Sequence, residues 1–317
     1  MTALVSTWLH SGLAPLAPFL ARTDVTDIWI NMPGEIWVEA LGQQPCRHVL
    51  PELTDAHLLR LVRQVAAHSA QAISRRHPIL SASLPGGERV QVVMPPATRG
   101  AIAIAIRKPS VASLDLAAYV VPSDDAGAAT PPVEGDDVVA LLRGAVRARR
   151  NILISGGTST GKTTFLNALI AEIAQHERLV LIEDTPEINV AQPNHVGLLA
   201  VRGGQGEAEV TAEDLLIASL RLRPDRIILG EIRGAEAATF LRAINTGHPG
   251  SLSTIHADSP LRAIDQLALL VLQTGIRMTF EDVVTYVRRS IDIIVQLERS
   301  GGQRRIRQTL TLKRFSD

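Results

Sequence analysis

The chain has 317 residues, enough for two domains with separate cores. Lysine plus arginine and aspartate plus glutamate number 32 each, and aromatic residues make up 3%. With no basic excess and few stacking side chains, nucleic acid is a weak first guess for the main partner, although a local basic patch fits inside a neutral total. Cys46 is the only cysteine, so an intramolecular disulfide and a cysteine-based zinc site are both ruled out. Beside Pro45 it reads as a packed small residue rather than a nucleophile, and a reducing cytoplasm fits.

Residues 2–21 carry no charge, and the first basic residue is Arg22, which is not the pattern of a secretory signal. Ser6, Thr7, His10, Ser11, Pro15 and Pro18 interrupt the segment, making it a poor transmembrane span. A short amphipathic helix from Leu4 to Leu13, ended near Pro15, is expected, with contact to a membrane surface as its alternative use. Residues 26–40 read as a hairpin: 27–31 alternates, Met32-Pro33-Gly34-Glu35 turns, and 36–39 returns. Thr54 and Asp55 cap a helix running to about Ser69, with Leu58, Leu59, Leu61, Val62 and Val65 on its apolar face. Two strands follow, 89–94 and 101–107. Residues 109–134, with Pro109, Pro122, Pro131 and Pro132, read as a linker. It divides an N-terminal α+β domain, 1–108, from a C-terminal domain, 135–317.

The C-terminal half alternates strand and helix. Strands are expected at 151–155, 179–183, 226–230 and 251–255. Helices are expected at 162–174, at 211–222 with a Thr211/Asp214 capping pattern, at 235–245, and from Pro260 to Gly275. Strands joined by crossover helices imply an α/β fold with a mostly parallel sheet covered on both faces.

The strongest chemical signal is Gly156-Gly157-Thr158-Ser159-Thr160-Gly161-Lys162-Thr163, a full match to the phosphate-binding G-x-x-x-x-G-K-[ST] loop. Its context fits, because a buried strand enters it and a helix leaves it. Glycines let successive N–H groups turn toward an anion, and the helix start adds partial positive charge. Lys162 is expected on the β- and γ-phosphates of ATP, and Thr163 on Mg²⁺, with Thr164 beside them in the nucleotide set. Hydrolysis also needs a carboxylate. Glu231 leaves the end of a parallel strand after Gly230, where it can polarise an attacking water. No aspartate stands at that strand tip. Glu183, Asp184 and Glu187 form a second acidic group, suited either to the Mg²⁺ shell or to orienting water, with a solvated cluster as the plain alternative. His256 follows a core strand and is placed to sense a γ-phosphate; for His248 a structural and a functional reading stand level.

Together these stretches resemble the secretion-ATPase superfamily, most closely its type IV secretion traffic ATPases. Ile182-Glu183-Asp184-Thr185-Pro186-Glu187 looks like the family's Asp box. Residues 220–234, with Gly230-Glu231 in place of the aspartate, look like its atypical Walker B. Thr246 to Asp258 looks like its His box. Residues 78–91 and 104–110 resemble the type IV subgroup rather than pilus-retraction or type II relatives, and the likeness spans roughly 24–300. It implies a RecA-like P-loop C-terminal domain and a smaller N-terminal domain. It also implies assembly as a homo-hexamer, with nucleotide between the domains and inner-membrane secretion components as partners at the cytoplasmic face. By the same resemblance Arg89 and Arg107 reach the phosphates, and one of Arg221, Arg223 and Arg233 acts across a subunit boundary. Rival readings are a pilus assembly or retraction motor, a type II secretion motor, a RecA-type nucleic-acid translocase, and a structural ring subunit without turnover.

Overall fold

Alternating apolar residues near the start of the chain build an antiparallel sheet. The computed structural model describes residues 2–108, 115–120, 135–200, 210–300 and 303–312, which fall into two compact units. In the first, β1 (Val25–Ile30) and β2 (Glu35–Ala40) form the expected hairpin, and Gly34 takes φ 82° in its turn. β3 (Cys46–Val49), β4 (Ile79–Ser83), β5 (Arg89–Val93) and β6 (Ala103–Arg107) complete a six-stranded sheet ordered β3-β2-β1-β6-β5-β4. β3 and β4 are its edges, and their mixed polar composition hides them from a periodicity reading.

Two helical segments accompany this sheet. α1 (Thr2–Leu13) ends where expected, and Pro15 and Pro18 open the two short turns that follow it, the second being α2 (Ala17–Leu20). α3 (Asp55–His68) is capped by Thr54, whose hydroxyl accepts from the His57 N–H. His57 Nε2 meets Gly12 O at 2.8 Å and ties α3 to α1. Leu9, Leu16, Ile28, Ile30, Leu58, Val62 and Ile104 share one core. Cys46 departs from expectation: it lies exposed on β3 rather than packed, because an edge strand covers neither of its faces fully.

The second unit is an α/β layer structure. Its strands are β7 (Ile152–Gly156), β8 (Leu179–Glu183), β9 (His195–Leu199), β10 (Arg226–Ile232), β11 (Leu252–Ile255), β12 (Ile293–Ser300) and β13 (Gln303–Thr311), in the order β13-β12-β7-β11-β10-β8-β9. Every pairing is parallel except β12 with β13. Side chains alternate across the sheet. Ile152, Ile154, Leu179, Leu181 and Ile228 pack on one side with α4 (Gly135–Arg147) and α5 (Lys162–Ala171). Leu153, Val180, Ile182, Ile227 and Leu229 pack on the other with α6 (Ala212–Ser219), α7 (Glu236–Asn245), α8 (Pro260–Leu272) and α9 (Phe280–Ser290). Central strands buried on both faces explain their continuous apolar runs.

Of the segment expected as a linker, 109–114 and 121–134 lie outside the described residues. Residues 115–120 instead join the second unit: Asp115 caps a short turn, Leu116–Tyr119, whose Leu116 and Tyr119 are buried against Phe165 and its neighbours. Apolar residues three apart on one such turn share a face, and that face is core.

Polar pins fix the edge at which the parallel strands begin. Arg226 is 1% exposed and forks onto Glu177, 5% exposed, through Nε and Nη2 at 2.8 and 2.7 Å. Its Nη1 donates to Val146 O at 2.8 Å. Nearby, Asn151 donates to Ser290 O at 2.9 Å and accepts from the Gly250 N–H at 2.9 Å, while Asp292 accepts from the Asn151 N–H at 2.7 Å. These bonds satisfy buried groups that otherwise cost about 1–3 kcal/mol each.

Candidate nucleotide site

The opposite edge, where the parallel strands end, gathers the chemistry. β7 ends at Gly156 and the chain curls through Gly157–Thr160 into α5. Gly161 caps that helix at φ 84°, and Ser159 takes φ 61°. Both are left-handed conformations, which Gly161 adopts without strain. Thr160 Oγ1 donates to Gly157 O at 2.9 Å and locks the curl. A Cβ on Gly156 would lie 2.5 Å from Thr160 Oγ1 and 3.2 Å from the Leu297 carbonyl of β12, so the curl closes only around a hydrogen.

Lys162 Nζ donates to Gly156 O at 2.9 Å and Gly157 O at 3.2 Å. Burial pushes the Lys162 ammonium below its ordinary range; the charge of Glu231 raises it and that of Arg233 lowers it. β11 alone separates β7 from β10 in the sheet, so the loop that follows β7 and the tip of β10 lie at the same end, two strands apart. Thr163 is half-buried in the first turn of α5, beside buried Thr164, whereas Thr158 and Ser159 are exposed on the loop.

Glu231 owes its position to an irregularity. β10 runs two residues beyond the expected end, and its register against β11 slips between Leu229 and Ile232. A bulge of this kind re-aims a side chain beside a site. Gly230 sits within 3.4 Å of the Ile182 carbonyl, measured from where its Cβ would be, so β8 crowds that position. Thr254 donates to Gly230 O at 2.8 Å and holds the bulge in place. Arg233 clasps Glu231 through Nε at 2.8 Å and through Nη2, and reaches Asp184 at 3.4 Å with Nη1. Burial acts to lower the basicity of Arg233, but the bond to Glu231 and the charges of Glu231, Asp184 and Glu187 win and raise it.

Glu183 ends β8 and is buried. Its Oε1 accepts from the N–H groups of Glu187 and Ile188 at 2.8 and 2.7 Å, so it folds the turn that presents Asp184 and Glu187. His256 is exposed just past β11, whose Ile255 pairs with Ser155 of β7. The next residue is anchored, since Ala257 O accepts from Ser155 Oγ and Gln296 Nε2, both at 3.2 Å.

The sheet therefore brings together the loop Gly156–Thr163, Glu183, Asp184, Glu187, Glu231, Arg233 and His256. His248 stands apart, because it precedes β11 at the opposite edge, where Nδ1 meets Pro224 O at 3.1 Å. Arg221 and Arg223 also precede β10 at that edge and are exposed. Arg89 and Arg107 belong to the first unit, paired in register across β5 and β6, and Arg107 Nε donates to Asp27 at 3.0 Å.

A phosphate group fits this cradle: Gly156 stands where a Cβ would close the curl, half-buried Lys162 bonds to the loop carbonyls, and a helix start faces it. Among the described residues no cluster of three or more histidine, cysteine or acidic side chains is placed to hold a metal.

A parallel sheet carrying a phosphate loop, an acidic strand tip and a histidine after the next strand defines a P-loop ATPase of the secretion type. The chain belongs to the type II/IV secretion system protein family, whose model matches residues 10–308, and within it to the VirB11-type ATPases of type IV secretion. It is 38% identical over 318 residues to the type IV secretion system protein VirB11 of Bartonella quintana, covering 92% of this chain and 89% of that one. It is 38% identical over 310 residues to PtlH of Bordetella pertussis, covering 92% and 90%. The crystal structure of the VirB11 ATPase of Brucella suis, in complex with sulphate, aligns over 97% of this chain and 95% of that one, with TM-score 0.51 and 34% identity.

Arg304 was not singled out by sequence reasoning, yet β13 brings it to the first turn of α5, with Nη1 3.5 Å from Thr164 Oγ1. The run Gln303-Arg304-Arg305-Ile306-Arg307 offers three arginines and no local signal to choose among them.

Proposed function

We propose that the chain is a homo-hexameric motor that hydrolyses Mg-ATP to power type IV secretion, acting with inner-membrane components at the cytoplasmic face. The observation that carries this reading is the convergence of Lys162, Glu231 and Arg233 at the end of the sheet where the phosphate loop lies. Lys162 exchanges its carbonyl partners for the β- and γ-phosphate oxygens. Thr163, with the acidic group at the tip of β8, holds Mg²⁺, which would neutralise charge building on the phosphate oxygens. Glu231, released from Arg233, takes the proton of the attacking water, and Arg233 is left near the leaving γ-phosphate. Glu183 acts at one remove, as the fold of the turn that presents Asp184 and Glu187. His256 senses the γ-phosphate. Arg89 and Arg107 are the phosphate contacts we assign to the N-terminal unit, and their register pairing on β5 and β6 supports treating them together. Loss of the γ-phosphate then reopens the two units and passes motion to the machine.

The test measures ATP turnover and oligomer mass for wild type, Lys162→Ala and Glu231→Gln, with and without single-stranded DNA. A hexamer whose turnover falls by about 100-fold or more in both variants, indifferent to DNA, is expected. Wild type that binds ATP without hydrolysing it overturns the motor reading, and strong DNA stimulation favours a translocase.

A further inference from the structure

Over the start of the phosphate-loop helix stands a cation, Arg304, that no acid among the described residues balances. Arg304 is half-buried on β13. Its Cδ lies 2.6 Å, and its Nε 3.2 Å, from where a Cβ on Gly161 would be, so its stem crosses directly above the start of α5. Its neighbours on the strand are accounted for, since Arg305 and Arg307 both pair with Glu298, at 2.7 and 3.6 Å. Among the described residues Arg304 itself has no carboxylate within ion-pair distance, and its side-chain hydrogen bond is the long one to Thr164. Beneath it Tyr119 is fully buried against Phe165. Burial pushes that phenol up to about 12, while the nearby Arg304 charge and Thr164 act to lower it, which locates all three at one corner.

An arginine without an acid partner, half out of water and beside the positive end of a helix, is unfavourable until an anion joins it. The corner is not the one where hydrolysis is set up. Arg304 is on β13, on one side of β7 in the sheet, whereas Glu231 and Asp184 stand at the tips of β10 and β8, on its other side. A loop of this kind cradles the α- and β-phosphates with its backbone, and its lysine reaches the β- and γ-phosphates. The corner above Gly161 and Thr164 therefore faces the part of the nucleotide remote from the bond that breaks.

We propose that Arg304 grips the α-phosphate of the bound nucleoside di- or triphosphate, a binding contact common to substrate and product. The proposal rests on the nucleotide reading of the phosphate loop. A contact made equally to ATP and ADP changes affinity and leaves the chemical step alone.

The experiment titrates the full chain with a fluorescent ADP and with the imido analogue of ATP, comparing wild type, Arg304→Ala, Arg304→Lys and Lys162→Ala, with turnover measured alongside. Arg304→Ala is expected to weaken both nucleotides about tenfold, as loss of a charge-assisted bond to phosphate does. KM should rise by the same factor with little change in kcat, and Arg304→Lys should recover part of the loss. A merely structural arginine would shift the thermal midpoint without this KM-against-kcat split. Unchanged ADP affinity in Arg304→Ala, with binding lost in Lys162→Ala, overturns the proposal and leaves the loop reading intact. Binding unaffected in both variants overturns the loop reading as well. A loss confined to the triphosphate analogue places Arg304 at the γ-phosphate and refutes the α-phosphate assignment. Where the alanine variant fails to fold, Arg304→Gln, which keeps the side-chain stem, carries the same readouts.

Discussion

The two glycines that open the phosphate loop have the same letter in the motif but different surroundings, and alanine at each position tests the reason for the first. In Gly156→Ala the new methyl would meet Thr160 Oγ1 at 2.5 Å and the Leu297 carbonyl at 3.2 Å. The threonine cannot simply swing away, because its hydroxyl is bonded to Gly157 O at 2.9 Å. The carbonyl belongs to β12, paired in register with Gly156. Overpacking against backbone typically costs about 1–3 kcal/mol. For a domain of this size that lowers the thermal midpoint by roughly 2–4 °C per kcal/mol. In Gly157→Ala the nearest atom to the new methyl is Thr160 Cγ2 at 3.9 Å, and Gly157 is not at positive φ. That variant should melt within about 0.5 kcal/mol of wild type, in line with substitutions away from the core. Calorimetry and urea titration of both variants without nucleotide decide the matter. Equal midpoints for the two, or a larger loss at Gly157, would refute the claim that the curl closes around a hydrogen at Gly156.

Two further outcomes follow from the opposite edge of the sheet. Glu177→Ala strands the Arg226 guanidinium, 1% exposed, and should cost about 3–5 kcal/mol in urea denaturation; a cost under about 1 kcal/mol would contradict the assignment. Burial acts to raise the Glu177 carboxyl, but the hydrogen bonds and charge of Arg226 and the charge of Arg149 hold it below its ordinary 4.5. Its contribution is therefore complete above pH 4.5 and lost as pH falls through the depressed folded value, so Glu177→Gln should flatten the acid limb of the stability curve. The histidines should separate. His256→Ala is expected to lower kcat at least tenfold, whereas His248→Ala should leave turnover intact and cost about 1 kcal/mol of stability from its bond to Pro224 O. The reverse pattern in a steady-state assay would exchange their roles.

Much of the fold was legible where local chemistry and tertiary context agree. The β8 bounds, the Thr54 cap and the Thr211/Asp214 capping box all appear in the structure as the letters suggest. Of the elements that the reading passed over, β9 alternates weakly at an edge and depends on long-range pairing with β8, whereas the β12–β13 hairpin is local, and Gly301-Gly302 between its strands was an available signal. α9 is a similar case, since Thr279 and Asp282 form the same capping box as α6, and that signal too was available. At the candidate site, motif spacing located the strand tips but not the partners of each side chain. The bulge that aims Glu231 and the clasp by Arg233 arise from how β10 sits between β8 and β11. No pattern along the chain carries the approach of Arg304 to Gly161, because 140 or so intervening residues fold between them.

The strand starts and strand ends of the second unit are built from different kinds of interaction. Arg226, Glu177, Asn151 and Asp292 are sealed among carbonyls at one rim, while Lys162, Glu231, Arg233 and His256 occupy the other. On the function proposed, a substitution at the first rim is felt as folding, and one at the second as turnover, with the strands between them keeping the two effects apart. Rate and robustness are thus nearly separate heritable traits in this chain. A lineage can retune how fast its ATPase turns over without first having to repair how well the protein folds.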